Sequence, residues 1–167
     1  MKTIPIIGAL PYEEVRDDCH NVKDSNSRRR SQILSRHARR IADELGSCYL
    51  VPVPSHQGQA THSRSFAYVL AAFCRNEVFV ADILCCTPHA SLCDVKHAGG
   101  DPSAVAIDIA VKDDIVNNIS AATVLSRQRL PIYLVDNVVD TGHTAEACLK
   151  AIPADGIIAI GNTYNWK

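Results

Sequence analysis

The feature that most constrains the fold is a strand, a polar turn and a helix that follow one another late in the sequence. Residues 131–135 are apolar and predict a buried strand, and residues 145–152 have the composition of a helix. Asp136 and Asn137 follow the strand, and the turn 140–144 reads Asp-Thr-Gly-His-Thr. A strand that leads through such a turn into a helix is typical of the repeating unit of α/β proteins.

Similar units occur elsewhere in the sequence. Apolar runs and helical spacing predict the other strands over 48–53, 78–84, 105–111 and 157–160, and the other helices over 28–45, 65–75 and 113–125. Their alternation predicts an α/β fold with a central, mainly parallel sheet flanked by helices. A length of 167 residues suits a single domain, in which 1–46 is an N-terminal hood or helix segment, 47–161 the core and 162–167 a tail.

The first predicted helix is defined by the residues that flank it. Ser27 is a candidate N-cap and Gly46 a C-terminal stop, whereas the polar residues 16–27 predict a loop. The helix carries many arginines, at Arg28, Arg29, Arg30, Arg36, Arg39 and Arg40. These form either a solvated face balanced by nearby acidic residues or a surface for an anion or nucleic acid.

Composition argues against several classes of protein. A net charge of −1 gives no electrostatic reason to expect nucleic acid as a partner. Apolar runs stay well short of the roughly 20 residues that cross a bilayer, and the N-terminus does not read as a secretion signal, so we expect a cytoplasmic protein without a membrane partner. The 7 cysteines are odd in number and mostly in apolar settings, which predicts reduced thiols rather than disulfides.

The turn 140–144 is the strongest candidate for a ligand site. Backbone N–H groups in a turn that leads into a helix can surround a phosphate. Carboxylates at the end of the preceding strand can hold ribose hydroxyls or Mg²⁺. The residue types by themselves are common in turns, so the prediction depends on the order of strand, acid, turn and helix.

Residues 134–144 resemble the phosphoribosyl-pyrophosphate (PRPP) signature of type I phosphoribosyltransferases. That signature has four apolar residues, two acids, two apolar residues and then Asp/Thr-Thr-Gly-x-Thr, and Asn137 stands here in place of the second acid. The resemblance implies the type I fold with a small hood. It also implies binding of Mg-PRPP and transfer of phosphoribose to a nitrogenous, nucleobase-like acceptor, with Mg²⁺ arriving on PRPP rather than held by a cluster of protein ligands.

The resemblance further implies roles for individual residues. The turn would hold the 5′-phosphate, and Asp136 and Asn137 would face the ribose hydroxyls. Asp140 falls where some purine-using members carry an acid near the base nitrogen, so Asp136 and Asp140 are the catalytic candidates. The implied PRPP-binding set is Asp136, Asn137, Asp140, Thr141, Gly142, His143 and Thr144.

A second segment, 50–66, resembles the first pyrophosphate-binding loop of competence-associated (ComF-like) members of that family. It reads Leu-Val-Pro-Val-Pro-Ser-His and leads through Arg64 into a predicted helix. The residues implied to contact pyrophosphate are Pro54, Ser55, His56 and Arg64. Gln57, Gln59 and Thr61 stand where that pattern usually has arginines. The alternative is that Val-Pro-Val-Pro only ends a strand at a sheet edge.

Residues 87–102 would form a flexible loop of the hood, with Lys96 either on the substrate or on a solvated loop. The same region holds Cys85, Cys86, His89, Cys93 and His97. The spacing 89-93-97 would place three zinc-type ligands on one helical face, although a structural zinc site normally needs a closed set of four.

The tail carries two aromatic candidates for the acceptor site. Tyr164 or Trp166 would stack on a base, as an aromatic residue after the last strand often does in base-using members. The alternative is packing against the core, or against the partner in a homodimer.

Three functions are compatible with these features. The first is an active phosphoribosyltransferase, and the second is a catalytically reduced PRPP- or nucleotide-binding protein of the same fold, for which Asn137 and the sparse basic loops argue. The third is an accessory protein of DNA uptake or mobile DNA that uses the arginine-rich helix, against which the balanced net charge argues.

Overall fold

The computed structural model describes residues 4–24, 26–113, 115, 118–126 and 130–163, with the backbone alone at residue 24. The central strands are β1 (Ile6–Ile7), β3 (Cys48–Pro52), β4 (Val78–Val80), β7 (Ile132–Val135) and β9 (Gly156–Ile158). They form a parallel sheet in the order β1-β9-β7-β3-β4. The predicted α/β fold with a central, mainly parallel sheet flanked by helices is confirmed.

Two small sheets accompany the central one. The strands β2 (Leu10–Pro11), β8 (Val138–Val139) and β10 (Gly161–Asn162) pair in parallel in the order β2-β10-β8. The strands β5 (Leu84–Cys86) and β6 (Ile109–Val111) pair antiparallel.

The helices occupy both faces of the central sheet. They are α1 (Tyr12–Asp24), α2 (Ser27–Ala42), α3 (His62–Phe73), α4 (Leu92–His97), α5 (Ala121–Ser126) and α6 (His143–Ala151), with a short 3-10 helix at Pro102–Ala104. No helix among the described residues has the length and apolarity needed to cross a membrane.

Strand β3 shows how the sheet divides the core into two layers. Cys48 and Leu50 face one layer, which they share with α1, α2 and α3, whereas Tyr49 and Val51 face the other, with α5 and α6. All four side chains are at most 1% exposed. A strand buried on both faces needs apolar residues at every position, which explains its unbroken apolar run.

Helix α1 corrects the prediction of a loop over 16–27. Val15, Cys19 and Val22 are buried at helical spacing and pack in the same layer as α2. Mostly polar and charged residues occupy the positions between them. The apolar stripe is narrow and covers only one side of the helix, so the segment reads as polar although it folds as a helix.

The N-cap of α2 is Asn26, which corrects the assignment to Ser27. The side-chain oxygen of Asn26 accepts a hydrogen bond from the Arg29 backbone N–H at 3.0 Å, and Asn26 has extended backbone angles. Ser27 is the first helical residue. Both residue types are good N-caps, so composition alone did not separate adjacent positions.

The other boundaries differ where polar residues turn the chain. The strand predicted over 78–84 is divided into β4 and β5, because the buried Asp82 lies between them in ion pairs. The strand predicted over 105–111 is reduced to β6. The helix predicted over 113–125 begins at Ala121 in the described part of the chain, and Asn118 has a left-handed φ of 63° that a right-handed helix does not accommodate.

Several arginines of α2 bind elements of this same chain. Arg36 forms an ion pair with Asp18 of α1, and Arg40 donates to the Gly8 carbonyl. The Arg30 Nε donates to the Val22 carbonyl at 2.8 Å. These contacts attach α2 to α1 and to the turn after β1, and they favour the interpretation of the arginines as a structural and solvated face.

Candidate functional site

The central strands β3 and β7 lead into connections that leave the sheet in opposite directions. β3 continues through α3 to β4 on one side, and β7 continues through α6 to β9 on the other. Helices α3 and α6 pack on opposite faces of the sheet. Adjacent parallel strands with diverging connections leave a crevice outside their carboxyl ends, where open α/β sheets bind ligands.

A cavity of about 460 Å³ occupies this crevice. The loops after β3 and β7 form part of its wall and are joined at their base by a 2.9 Å hydrogen bond from the Val53 N–H to the Val135 carbonyl. Helices α1 and α4 complete the wall. Most of the residues predicted for the site line this cavity, namely Pro54, Ser55, His56, Lys96, Asp136, Asn137, Asp140, Thr141, Gly142 and Thr144.

The turn after β7 has a fixed backbone. The carbonyl of Asn137 accepts from the N–H groups of Ile160 and Gly161, both at 3.1 Å. Gly142 has a left-handed φ of 79° at the residue that precedes α6. Glycine adopts this angle without the steric cost that other residues meet. The turn therefore enters the helix with its N-terminal N–H groups beside the cavity.

Asn137 has an unsatisfied acceptor beside the cavity. Its side chain is 5% exposed, and no described residue donates a hydrogen bond to its Oδ1. A buried amide oxygen without a partner costs free energy, so such groups usually have a ligand or solvent donor. Asn137 lines the cavity, and its Oδ1 itself is shielded from solvent.

Asp136 is half-buried at the end of β7, and desolvation of its carboxyl raises the pKa to about 6. Two groups lower this pKa. The Asn137 N–H donates to Asp136 Oδ1 at 2.7 Å, and Lys23 contributes a positive charge. A carboxyl with a pKa near 6 changes its charge near neutral pH. Such groups are typical of functional sites, although structural carboxyls also show them.

Asp140 is held by two neighbours at the cavity wall. Thr163 Oγ1 donates to its Oδ1 at 2.5 Å, and Lys96 Nζ approaches its Oδ2 at 3.1 Å. Burial alone raises the pKa of Asp140, but the bonds from Thr163 and Lys96 outweigh it and hold the pKa below its ordinary value. Lys96 of α4 therefore reaches across to the turn after β7.

Arg64 and His143 are not among the residues that line the cavity in the described part of the chain. Arg64 Nη1 lies 3.2 Å from the Asp82 Oδ2, and Lys112 Nζ lies 3.3 Å from the Asp82 Oδ1. Lys112 Nζ also donates to Gln59 Oε1 at 3.3 Å. The predicted pyrophosphate arginine is thus engaged with an aspartate outside the cavity.

Sequence reasoning missed the contribution of α1. Tyr12, Arg16, His20 and Lys23 line the cavity, and the Tyr12 Oη lies 3.3 Å from the His20 Nε2. The sequence does contain a pattern for this face, since the spacing 12-16-20-23 places side chains on one side of a helix. The polar composition of residues 16–27 predicts a loop instead and conceals that pattern.

His89 does not share the helical face of Cys93 and His97. Helix α4 begins at Leu92, so His89 precedes it, and the His89 Nδ1 lies 2.8 Å from the Ala90 carbonyl oxygen. Cys93 Sγ lies 3.9 Å from the His97 Nδ1. Among the described residues, no three or more Cys, His, Asp or Glu side chains are grouped to hold a metal ion. All seven cysteines are free thiols.

Tyr164 and Trp166 lie outside the described residues, so their predicted stacking stays a prediction. Thr163, the last described residue, was not among the candidates, yet it lines the cavity and binds Asp140.

The cavity combines groups that suit a phosphorylated, hydroxylated ligand. It has helix N-terminal N–H groups, carboxylate and amide oxygens, hydroxyls and cationic side chains on facing walls. No protein-family model matches the sequence, and a search among curated proteins finds no significantly similar sequence. Evidence for the function therefore comes from the geometry of this cavity and from the motifs that line it.

Proposed function

We propose that this protein binds Mg-PRPP in the cavity and transfers its phosphoribosyl group to a nitrogenous, nucleobase-like acceptor. The observation that carries the proposal is the position of residues 136–144. They follow the carboxyl end of β7, at the point where the connections after β3 and β7 go to opposite faces of the sheet. Apart from His143 they line the cavity, and the segment leads into α6. A type I phosphoribosyltransferase fold with α4 in its hood is part of the same proposal.

The proposed placement of the ligand follows from the polar groups of the wall. The 5′-phosphate would accept hydrogen bonds from the backbone and hydroxyls of 141–144. The ribose hydroxyls would bind Asp136 and Asn137, whose Oδ1 has no donor among the described residues. Asp140 would lie near the acceptor nitrogen.

Mg²⁺ fits these residues as a cation shared with the ligand. Carboxylate and amide oxygens are the ligands that Mg²⁺ takes, and the wall offers those of Asp136, Asn137 and Asp140. Most of its coordination would come from the phosphates of PRPP and from water. When bound there, Mg²⁺ would offset negative charge on the leaving pyrophosphate.

The proposed reaction needs no covalent intermediate with the protein. The bond from C1′ to the pyrophosphate oxygen breaks, and its electron pair leaves with pyrophosphate. The acceptor nitrogen donates a lone pair to C1′, forms the new C–N bond and loses its proton. Asp140 is the candidate for orienting that N–H or receiving its proton, and the rest of the site contributes positioning and electrostatics.

A second candidate is a PRPP- or nucleotide-binding protein with reduced catalysis. Asp140 is already engaged by Thr163 and Lys96, and Asn137 supplies an amide where an acid would add negative charge. The loss of that charge weakens stabilisation of a cationic ribosyl group and of Mg²⁺, while hydrogen bonding to the sugar survives. An accessory role in DNA uptake or with mobile DNA would be compatible with such a binding protein.

Calorimetry with PRPP and Mg²⁺ tests the binding site common to both candidates. We expect saturable heat that disappears when the titrant is buffer with Mg²⁺ alone. Asp136→Ala should weaken binding, whereas Asp17→Ala, an exposed substitution on α1 outside the cavity wall, should leave it unchanged. Absence of binding at millimolar PRPP would overturn both candidates.

Pyrophosphate release distinguishes the two candidates. PRPP and Mg²⁺ are incubated with a panel of purines, pyrimidines and other heterocyclic amines. Release that is lost in Asp140→Asn but persists in Lys96→Ala supports catalysis with Asp140 at the acceptor. Binding without release across the panel supports the reduced-catalysis candidate.

Asn137→Asp tests the role of the missing charge. The variant restores a second acid beside Asp136, so it should tighten Mg²⁺-dependent PRPP binding by several-fold. Calorimetry at matched Mg²⁺ concentrations measures the change. Unchanged or weaker binding would contradict the idea that Asn137 limits the site.

A further inference from the structure

The inward face of α1 is a row of polar side chains that none of the motifs accounts for. Tyr12, Arg16, His20 and Lys23 line the cavity, directly beside the buried stripe of Val15, Cys19 and Val22. Arg16, His20 and Lys23 are exposed, so their side chains reach the solvent of the cavity rather than the core. Packing does not explain why three basic residue types share this face.

The cavity wall has more cations than its own carboxylates balance. Arg16, Lys23 and Lys96 face Asp136 and Asp140. Lys96 is paired with Asp140. In the described part of the chain, neither Arg16 nor Lys23 has a carboxylate within ion-pair distance.

Histidines also line the wall and can donate hydrogen bonds to an anion. Of the 7 in the sequence, those that line the cavity are His20, His56, His62, His89 and His97. A wall on which lysine and arginine outnumber the carboxylates attracts anionic ligands.

The segment that resembles a pyrophosphate loop is poorer in cations on the cavity side. Arg64 is held by the carboxylate of Asp82, which is 2% exposed and also binds Lys112. Gln57 and Gln59 are neutral. Within the segment 50–66, the basic residues that line the cavity are the histidines His56 and His62, with no arginine or lysine. An anion with several negative charges would therefore find its cations on α1.

We propose that Arg16, His20 and Lys23 of α1 form a subsite for the diphosphate group of the ligand, in place of Arg64. The proposal rests on the proposed function for the identity of the ligand. The 5′-phosphate lies at the turn 141–144 and the diphosphate at α1, on separate parts of the cavity wall. Guanidinium and ammonium groups supply charge-assisted hydrogen bonds to phosphate oxygens, and neighbouring cations repel one another less once the anion is bound.

Calorimetry with three probes tests this assignment. Ribose 5-phosphate reports the turn 141–144, pyrophosphate with Mg²⁺ reports the proposed subsite, and PRPP with Mg²⁺ reports both. The variants are Arg16→Gln, Lys23→Gln and Arg64→Gln, with Arg28→Gln as a control that removes an equal charge from an exposed position outside the cavity wall.

We expect Arg16→Gln and Lys23→Gln each to weaken binding of pyrophosphate and PRPP by about tenfold, the value of one charge-assisted contact. Ribose 5-phosphate should change by less than about threefold, because its only phosphate lies elsewhere. Arg64→Gln and Arg28→Gln should leave all three affinities within about twofold. Circular dichroism confirms that each variant is folded.

The outcomes separate the subsite from the proposed function. Unchanged pyrophosphate binding in Arg16→Gln and Lys23→Gln, or a tenfold loss in Arg64→Gln, would overturn the subsite. Wild-type protein that binds pyrophosphate through α1 but not ribose 5-phosphate supports the subsite and contradicts the phosphoribosyl function. Wild-type protein that binds ribose 5-phosphate but not pyrophosphate contradicts the subsite alone, and failure of all three probes contradicts both.

Discussion

Asp82 shows how one buried carboxylate organises the surroundings of the cavity. Its side chain is 3% exposed and lies between the guanidinium of Arg64 and the ammonium of Lys112, whose side chain is 15% exposed. Buried charges are tolerated when they are paired, and removal of one partner leaves the other charge unsolvated. Asp82 thereby joins α3 to the residue after β6 and keeps Arg64 away from the cavity.

Asp82→Asn should lower the free energy of unfolding by about 3 kcal/mol, because it leaves the shielded Lys112 without an anion. Arg64→Gln should lower it by less than about 1 kcal/mol, because Arg64 is half exposed and water replaces its partner. Urea denaturation followed by circular dichroism measures both variants. Similar small losses in the two variants would contradict a structural role for the Asp82 cluster.

At the scale of elements, apolar spacing predicted the strands and helices whose buried residues are continuous in sequence. Strands β3, β7 and β9 and helix α3 lie where the pattern placed them, within a few residues. Helix α1 was missed because its buried stripe is narrow and its other faces are polar and charged, one of them lining the cavity. Contact with α2 and with β10 makes that stripe a core surface.

The N-terminus of α2 provides a test of boundary assignment. Asn26→Ala should lower the free energy of unfolding by about 1 kcal/mol, because it removes the acceptor for the Arg29 N–H. Ser27→Ala should change it by less than about 0.5 kcal/mol, since Ser27 is the first helical residue and alanine is a good helix former. Thermal and urea unfolding of both variants provide the comparison. A larger loss from Ser27→Ala would restore the boundary predicted from sequence.

At the scale of the whole molecule, the cavity connects stability to pH through Asp136. Its pKa is raised from 3.8 to about 6 in the folded protein, so folding favours the protonated carboxyl. The associated stabilisation is complete below the unfolded value and is lost as pH rises through about 6. A ligand cation that binds the ionised carboxylate would lower this pKa and so oppose the loss of stability at higher pH.

Asp136→Asn removes this titration, so the free energy of unfolding of the variant should rise relative to wild type as pH increases from 4 to 7. The rise should be about 1–2 kcal/mol, after allowance for water in the cavity. Urea denaturation at intervals of one pH unit measures the difference, and Asp17→Asn, at an exposed position on α1, serves as control. A difference that stays constant over this range would contradict the assignment.

The class of fold and the segment that leads into the candidate site follow from local patterns in the sequence. Alternation of strand and helix patterns predicts a layered α/β arrangement, and a strand followed by an acid, a turn and a glycine predicts a bend into a helix, because side-chain spacing and backbone sterics act locally. Which charges meet depends on the tertiary structure. Asp82 pairs with Arg64 from 18 residues away, Lys96 reaches Asp140 across 44 residues, and α1 presents its cations to a cavity whose other walls come from much later in the chain. Charge pairing depends on distances in space, which sequence separation does not encode.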